Sequence, residues 1–242
     1  MKKLFYLIFL TLKISLFAIT AEEILKKVDE NLNFQSAIIT ARLEIYLPNE
    51  SIRIKKFKSY ISGKNAYTEF LNKEDKNIRY LKLNKQMWVY DTEEENIFLI
   101  SGHLLKQGMM GSDISYEDAL ESNEIYNFYN IRSLAEEEFN QRSCYLVELI
   151  AKTKNVSYYK RKMWIDKEYF IPLKEQRFAI NGKLLKTFEN YEIKFYKNRV
   201  YTAKSVVLDN LKQNTKTVVV LEEAEFDIEI PQSYFSKRYL QR

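Results

Sequence analysis

The chain has 242 residues, 46% of them hydrophobic and 14% aromatic, which is apolar material for one core of all-β size. Its 38 lysines and arginines face 33 acids for a net charge of +5, and Lys2, Lys3 and Lys13 account for all but +2 of that; the balance does not point to nucleic acid. One cysteine, Cys144, excludes an intrachain disulfide, and with three prolines and five glycines no linker or low-complexity segment divides the chain.

Met1-Lys2-Lys3 precedes an apolar run over 4–12, Lys13, and a second apolar piece over 14–19. The run is shorter than the ~20 residues a spanning helix needs, and small residues follow it, as in a secretory leader. Cleavage is expected after Ala21, with Ala18 as the alternative. That gives a signal peptide over 1–21 and a single mature domain over 22–242. No cysteine lies near either position, so the product is expected to be exported and released without a lipid anchor.

Apolar residues at Ile24, Leu25, Val28 and Leu32 predict a helix over 22–32. From there strands dominate. Ile39, Ala41, Leu43, Ile45 and Leu47 share one face, with Thr40, Arg42 and Glu44 on the other. Further strands are expected at 53–62, 66–70, 78–83, 88–90 and 97–100, then at 126–131, 144–151, 157–166, 169–180, 184–195, 201–208 and 216–226. Asn181-Gly182 reads as a two-residue hairpin turn. Cys144 reads as a buried strand residue. Period-two patterning with 18 Tyr and 15 Phe predicts one long antiparallel sheet that must curl to protect its edges. Some strands, such as 205–208, are apolar on both faces, so one face is expected to pack on helices and the other to line a cavity. Clusters such as Lys160-Arg161-Lys162 and the run Glu136-Glu137-Glu138 read as solvated faces.

Between strands 97–100 and 126–131 the pattern changes. Gly102, Gly108 and Gly111 interrupt an apolar stretch containing Leu104, Leu105, Met109 and Met110. Glycine leaves the backbone permissive and methionine is unbranched and adaptable, so this is a candidate flap. A greasy surface loop fits the same residues. Ser115, or Asp113, is placed to cap a short helix over 116–120. If the flap covers a cavity, it is expected to face the sheet near Trp88 or Tyr90, which share a strand face.

Catalytic patterns are sparse. His103 stands in the flap with no ligand spacing around it, no nucleophile elbow occurs, and no phosphate-cradling loop is present. The residues read as a binding protein, not an enzyme, and imply no cofactor and no metal.

Trp88-Val89-Tyr90-Asp91 followed by Met109-Met110-Gly111-Ser112-Asp113-Ile114-Ser115-Tyr116-Glu117-Asp118 resembles a signature of the LolA-like outer-membrane lipoprotein-sorting family. Trp164-Ile165-Asp166, Pro172-Leu173-Lys174, 182–187 and the ending 235–240 agree in order. The resemblance covers nearly the whole mature chain and implies a mainly β fold with α (α+β): a curved antiparallel sheet forming an incomplete β-barrel wrapped around a few helices. It also implies a periplasmic carrier whose apolar cavity holds lipoprotein acyl chains or another lipid. An inner-membrane transporter would be the donor and an outer-membrane protein the acceptor. Candidate cavity and lid residues are Trp88, Tyr90, Phe98, Leu104, Leu105, Met109, Met110 and Trp164. By motif alone no residue matches the arginine that ties sheet to lid in typical carriers. A lipid-binding partner of a membrane exporter, and a structural envelope β-protein without cargo, are the alternatives.

Overall fold

The computed structural model describes residues 19–121, 125–154, 156–197 and 199–242. The leader expected over 1–21 lies outside these residues, apart from Ile19, Thr20 and Ala21.

Helix α1 (Ala21–Leu32) starts at Thr20. The Thr20 hydroxyl accepts from Glu23 N at 3.2 Å, and the Glu23 carboxylate accepts from Thr20 N at 2.8 Å, so two backbone donors of the first turn are satisfied reciprocally. Ile24, Leu25 and Val28 form its buried stripe. Six strands follow as successive hairpins: β1 (Ser36–Tyr46), β2 (Ile52–Ser62), β3 (Asn65–Phe70), β4 (Ile78–Leu83), β5 (Gln86–Asp91) and β6 (Asn96–Ile100). A connection over 101–128 carries α2 (Tyr116–Leu120) and α3 (Ile125–Phe128). Seven more strands complete the sheet: β7 (Tyr129–Phe139), β8 (Arg142–Ala151), β9 (Lys160–Asp166), β10 (Pro172–Phe178), β11 (Leu184–Tyr196), β12 (Arg199–Asp209) and β13 (Lys216–Phe226). Helix α4 (Lys237–Leu240) closes the chain.

All thirteen strands form one antiparallel sheet in the order β6-β5-β4-β3-β2-β1-β13-β12-β11-β10-β9-β8-β7. Two meanders therefore hang on the β1–β13 pair, where Leu43 faces Val219 and Ile45 faces Thr217. The sheet curves without closing, so β6 and β7 are its edges. The 101–128 connection runs from one edge to the other and crosses the gap that hydrogen bonding leaves open. An incomplete barrel with its own cross-strap results.

Register assigns the faces. Leu43, Phe57, Phe70, Tyr80, Met87, Ile100, Val147, Leu149, Met163 and Ile165 lie on the side that carries both α1 and the 101–128 segment. The opposite side holds Tyr67, Leu81, Trp88 and Tyr90 under Tyr234, Tyr239 and Leu240 of the C-terminal segment. It also holds Cys144, Leu146 and Trp164. Helix α1 and the 101–128 segment thus share the cavity's face, against the expectation that helices and cavity would take opposite ones, while α4 lies on the second face. Covering the second face with the C-terminal segment explains why β3, β4 and β5 are apolar on both.

Several element boundaries differ from the sequence reading: the strands expected at 157–166 and 169–180 are Lys160–Asp166 and Pro172–Phe178, and the largest change is at β7. Residues 126–128 are helical, and the strand expected to end at 131 runs on to Phe139. As an edge strand, β7 has most of its side chains in water, Glu136, Glu137 and Glu138 among them, so no apolar alternation marks it. The β10–β11 turn holds three residues instead of two: Ala179 N donates to Lys183 O and Gly182 N to Ala179 O, with Gly182 at φ 83°. Glycine in the left-handed position after a tight turn makes this the three-residue bulged hairpin.

Candidate functional site

The strap over 101–128 is shaped by its small residues. Gly102 (φ 57°) opens a 3-10 turn over Gly102–Lys106, and a second turn, Met109–Gly111, contains Met110 at φ 54°. Gly108 pairs with Ser115 across the loop, and a Cβ at Gly108 would sit 1.9 Å from Ser112 O. Only glycine permits that approach. Ser115 then caps α2 as its sequence pattern predicts: its hydroxyl accepts from Asp118 N at 3.1 Å, while Asp118 accepts from Ser115 N at 2.8 Å.

Polar anchors hold the strap to the sheet. Asp113 is buried; Thr215 and Thr217 donate to its carboxylate at 2.9 and 3.1 Å, and its own N–H donates to Thr217 Oγ1 at 2.8 Å. Lys186 Nζ on β11 donates to the Asp113 carbonyl at 2.6 Å. At the far end of α2, Arg177 of β10 contacts Glu121 at 2.6 Å and Asp118 at 3.4 Å. Arg161 of β9 pairs with the other oxygen of Glu121 and, at 2.9 Å, with Glu175. Tyr158 donates to Asp118 at 2.6 Å. Burial alone would push the Glu175 carboxyl up, but Arg177 and Arg161 outweigh it and hold it below its ordinary range. Each charge in this cluster is met by an opposite one, the condition on which buried ions are tolerated. The Arg161 Nε alone of its nitrogens lacks a partner.

The sequence reading took Lys160-Arg161-Lys162 as a solvated face, and the structure corrects it: Arg161 is 2% exposed. Its parity gives the signal that was missed, since Arg161 alternates with Met163 and Ile165 on the apolar side of β9. A basic residue in phase with buried aliphatics marks an inward charge. The sheet-to-strap arginines are therefore Arg161 and Arg177, at positions no motif singled out.

Apolar packing completes the strap. Leu104, Leu105, Met109 and Met110 lie against Phe57, Phe70, Tyr80, Met87 and Ile100, and Tyr80 Oη is 3.4 Å from Met110 Sδ. The expectation that this segment would close near Trp88 or Tyr90 is corrected. Those two side chains share a face, but it is the other one, where Lys237 Nζ stands 3.2 Å from the centroid of the Trp88 ring. In β5 both parities are apolar, so hydrophobicity could not select between Met87 and Val89 on one side and Trp88 and Tyr90 on the other. Trp164 likewise lies on the face away from the strap, with Cys144 and Leu173. Phe98 pairs with Val89 and so shares the strap's face, but on edge strand β6 it remains 46% exposed. His103 is exposed in the first turn of the strap.

Beneath the strap is a cavity of about 590 Å³, with Phe34, Leu105, Leu120, Ile125, Phe128 and Val156 as its apolar lining and Lys82, Arg161, Glu117 and Glu121 among its polar groups. A smaller void of about 180 Å³ lies between Phe57, Phe70, Tyr80, Met87 and Met109. The larger volume falls within the few hundred to a thousand cubic ångströms common for small-molecule sites. Its lining mixes apolar side chains with charged groups of both signs.

Comparison with known proteins places the architecture. Residues 62–242 match the model of a family whose description reads "uncharacterized protein", and the chain belongs to that family. No curated protein matches the sequence. Among solved structures, a DUF1329 family protein from Desulfovibrio piger is 21% identical with a TM-score of 0.81, covering 90% of this chain and 97% of its own. A putative outer membrane lipoprotein-sorting protein domain from Vibrio parahaemolyticus is 23% identical with a TM-score of 0.76 over 92% of this chain and 100% of its own. A LolA superfamily protein from Nitrosomonas europaea gives 20%, 0.75, 92% and 100%. The fold is that of the LolA-like incomplete barrel.

Proposed function

We propose that the chain is a periplasmic, non-catalytic carrier that holds the acyl chains of a lipoprotein or another lipid under the 101–128 strap and shields them from water. The observation that carries this reading is the cavity of about 590 Å³, lined in part by Phe34, Leu105, Leu120, Ile125, Phe128 and Val156 and roofed by a segment that bridges the two open edges of the sheet. Each CH₂ moved into an apolar site is worth ~0.8 kcal/mol, so a chain of ~14 such groups gains roughly 11 kcal/mol gross. Ordering and association take back part of this. A roof made of adaptable methionines and leucines, pinned by polar anchors that can exchange, suits a cargo that must be both held and handed on. An inner-membrane donor and an outer-membrane acceptor belong to the same proposal.

The test is titration of the delipidated protein with a fluorescent acyl probe. Leu105→Asp places a carboxylate in the cavity wall and should weaken probe binding at least about tenfold, since an unpaired charge is costly in apolar surroundings. Met109→Asp should do the same for the smaller void, with the circular dichroism of the sheet preserved in both. Unchanged affinity in both variants would overturn the carrier reading.

A further inference from the structure

Lys82 on β4 lines both the larger cavity and the smaller void. Its Nζ donates to the carbonyl of Ala119 in α2 at 2.8 Å, a neutral acceptor. Burial pushes the ammonium below its ordinary range, with Glu121 opposing from a distance. Glu121, however, is already committed to Arg161 and Arg177. Lys82 therefore points a half-buried positive charge, with donors to spare, into a chamber where Leu105, Leu120, Ile125 and Phe128 stand beside charged groups, Glu117, Glu121 and Arg161 among them. Two further lysines stand at the same cavity: Lys64 in the β2–β3 turn and Lys85 in the β4–β5 turn. Both turns close on the same end of adjacent hairpins, since Ala66 pairs with Lys82.

Resting on the carrier reading above, we propose that the cargo is an acyl amphiphile with an anionic head, phosphate or carboxylate, whose oxyanion pairs with Lys82 while its chain lies among Leu105, Leu120 and Phe128. Among the described residues no carboxylate forms an ion pair with Lys82, whose hydrogen-bond partner is the neutral Ala119 carbonyl, so an incoming anion would supply that pairing, and a charge-assisted hydrogen bond out of water is about twice as strong as a neutral one. A neutral acyl group would leave that ammonium with the Ala119 carbonyl and the distant Glu121 only. The arrangement thus favours an anionic lipid over an uncharged acyl anchor. Because Lys82 also holds Ala119, an anion that draws it away loosens α2 from the sheet, so cargo and strap are coupled through one side chain.

The experiment uses the full delipidated chain and matched ligand pairs competing with a fluorescent acyl probe: dioctanoylphosphatidylglycerol against dioctanoylglycerol, and oleate against oleyl alcohol. The expected result is tighter binding of the anionic member by about tenfold or more in at least one pair. A preference in the first pair assigns a phosphate head, and in the second a carboxylate. Lys82→Met should bring the two members of each pair to equal affinity, whatever their common level, with the circular dichroism of the sheet preserved; Lys82→Arg should retain the preference. Equal binding within both pairs, or a preference that persists in Lys82→Met, overturns the assignment. If neither the probe nor any lipid binds the wild type, the carrier reading itself fails and this inference falls with it.

Discussion

Arg177 on β10 and Glu121 just beyond α2 meet at 2.6 Å across 56 residues of sequence. That contact joins the sheet to the strap that spans its open edges. Arg161 takes the second oxygen of the same carboxylate, and Glu175 stands between the two arginines, accepting from both. One acidic residue of the strap is therefore gripped by two sheet strands, and the strap's position depends on a charge cluster as well as on apolar contact.

Removing one member should be costly. Arg177→Ala leaves Glu121, Asp118 and Glu175 with too few positive partners, and breaking a buried pair from one side costs about 3–5 kcal/mol. Urea denaturation should show a loss of that order, and hydrogen exchange should show amides over 113–121 opening faster. Arg177→Lys keeps the charge but not the planar fork, so a smaller loss is expected. A stability equal to wild type in Arg177→Ala would remove the cluster from the account of how the strap is held.

Acid should release the same cluster. Glu175 has its proton affinity lowered in the folded state, below the ordinary value of 4.5. On acidification the unfolded chain takes up that proton first. The contribution is therefore complete above about pH 4.5 and is lost as the pH falls through the depressed folded value. Thermal melts of wild type and Glu175→Gln should differ most near neutrality and converge below pH 4.5 as the pH falls through the depressed folded value. A gap that stays constant over that range contradicts the assignment.

The two faces of β5 should separate cleanly in mutants. Trp88→Ala empties the surface under the C-terminal segment and should cost roughly 2 kcal/mol of stability. Its acyl-probe affinity should remain within about twofold of wild type, a change under half of a 1.4 kcal/mol step. Met87→Asp, one residue earlier and on the strap side, should instead weaken probe binding. The reverse pattern would mean that Trp88 lines the cavity after all.

The capping box of α1 bears on processing. Cleavage after Ala21 would remove Thr20 and leave a charged amino terminus at the positive end of the helix dipole. Losing such a cap costs about 1 kcal/mol. Ile19 packs on the same cluster as Ile24 and Val28. Cleavage after Ala18 would preserve all of these contacts, so if a leader is removed, N-terminal sequencing is expected to begin at Ile19. A mature chain beginning at Glu22 would show that the peptidase, and not the helix, sets the boundary.

Much of the architecture was legible in the residues. Twelve of the strands were located from the residues, by period-two alternation where one face is buried and by short apolar runs where both are. The α1 stripe and the Ser115 cap were equally readable, since each depends on residues within a few positions of one another. The glycines of the strap marked a break in regular structure, and Gly108 proves indispensable to its path.

The rest required long-range contact. Sequence determined that β5 has two apolar faces, but only the docking of α4 on one and the strap on the other decided which of Trp88 and Met87 faces the cavity side. The full length of β7 was hidden because an edge strand in water needs no apolar code. Arg161, Glu175, Arg177 and Glu121 looked like ordinary surface charges in a chain that is 29% charged. What makes them a cluster is the antiparallel pairing of β9 with β10, which sets Arg161 beside Arg177, and the strap that brings Glu121 over both. Local patterning reports what a residue prefers, whereas the energy of a buried charge depends on which opposite charge the fold brings to it.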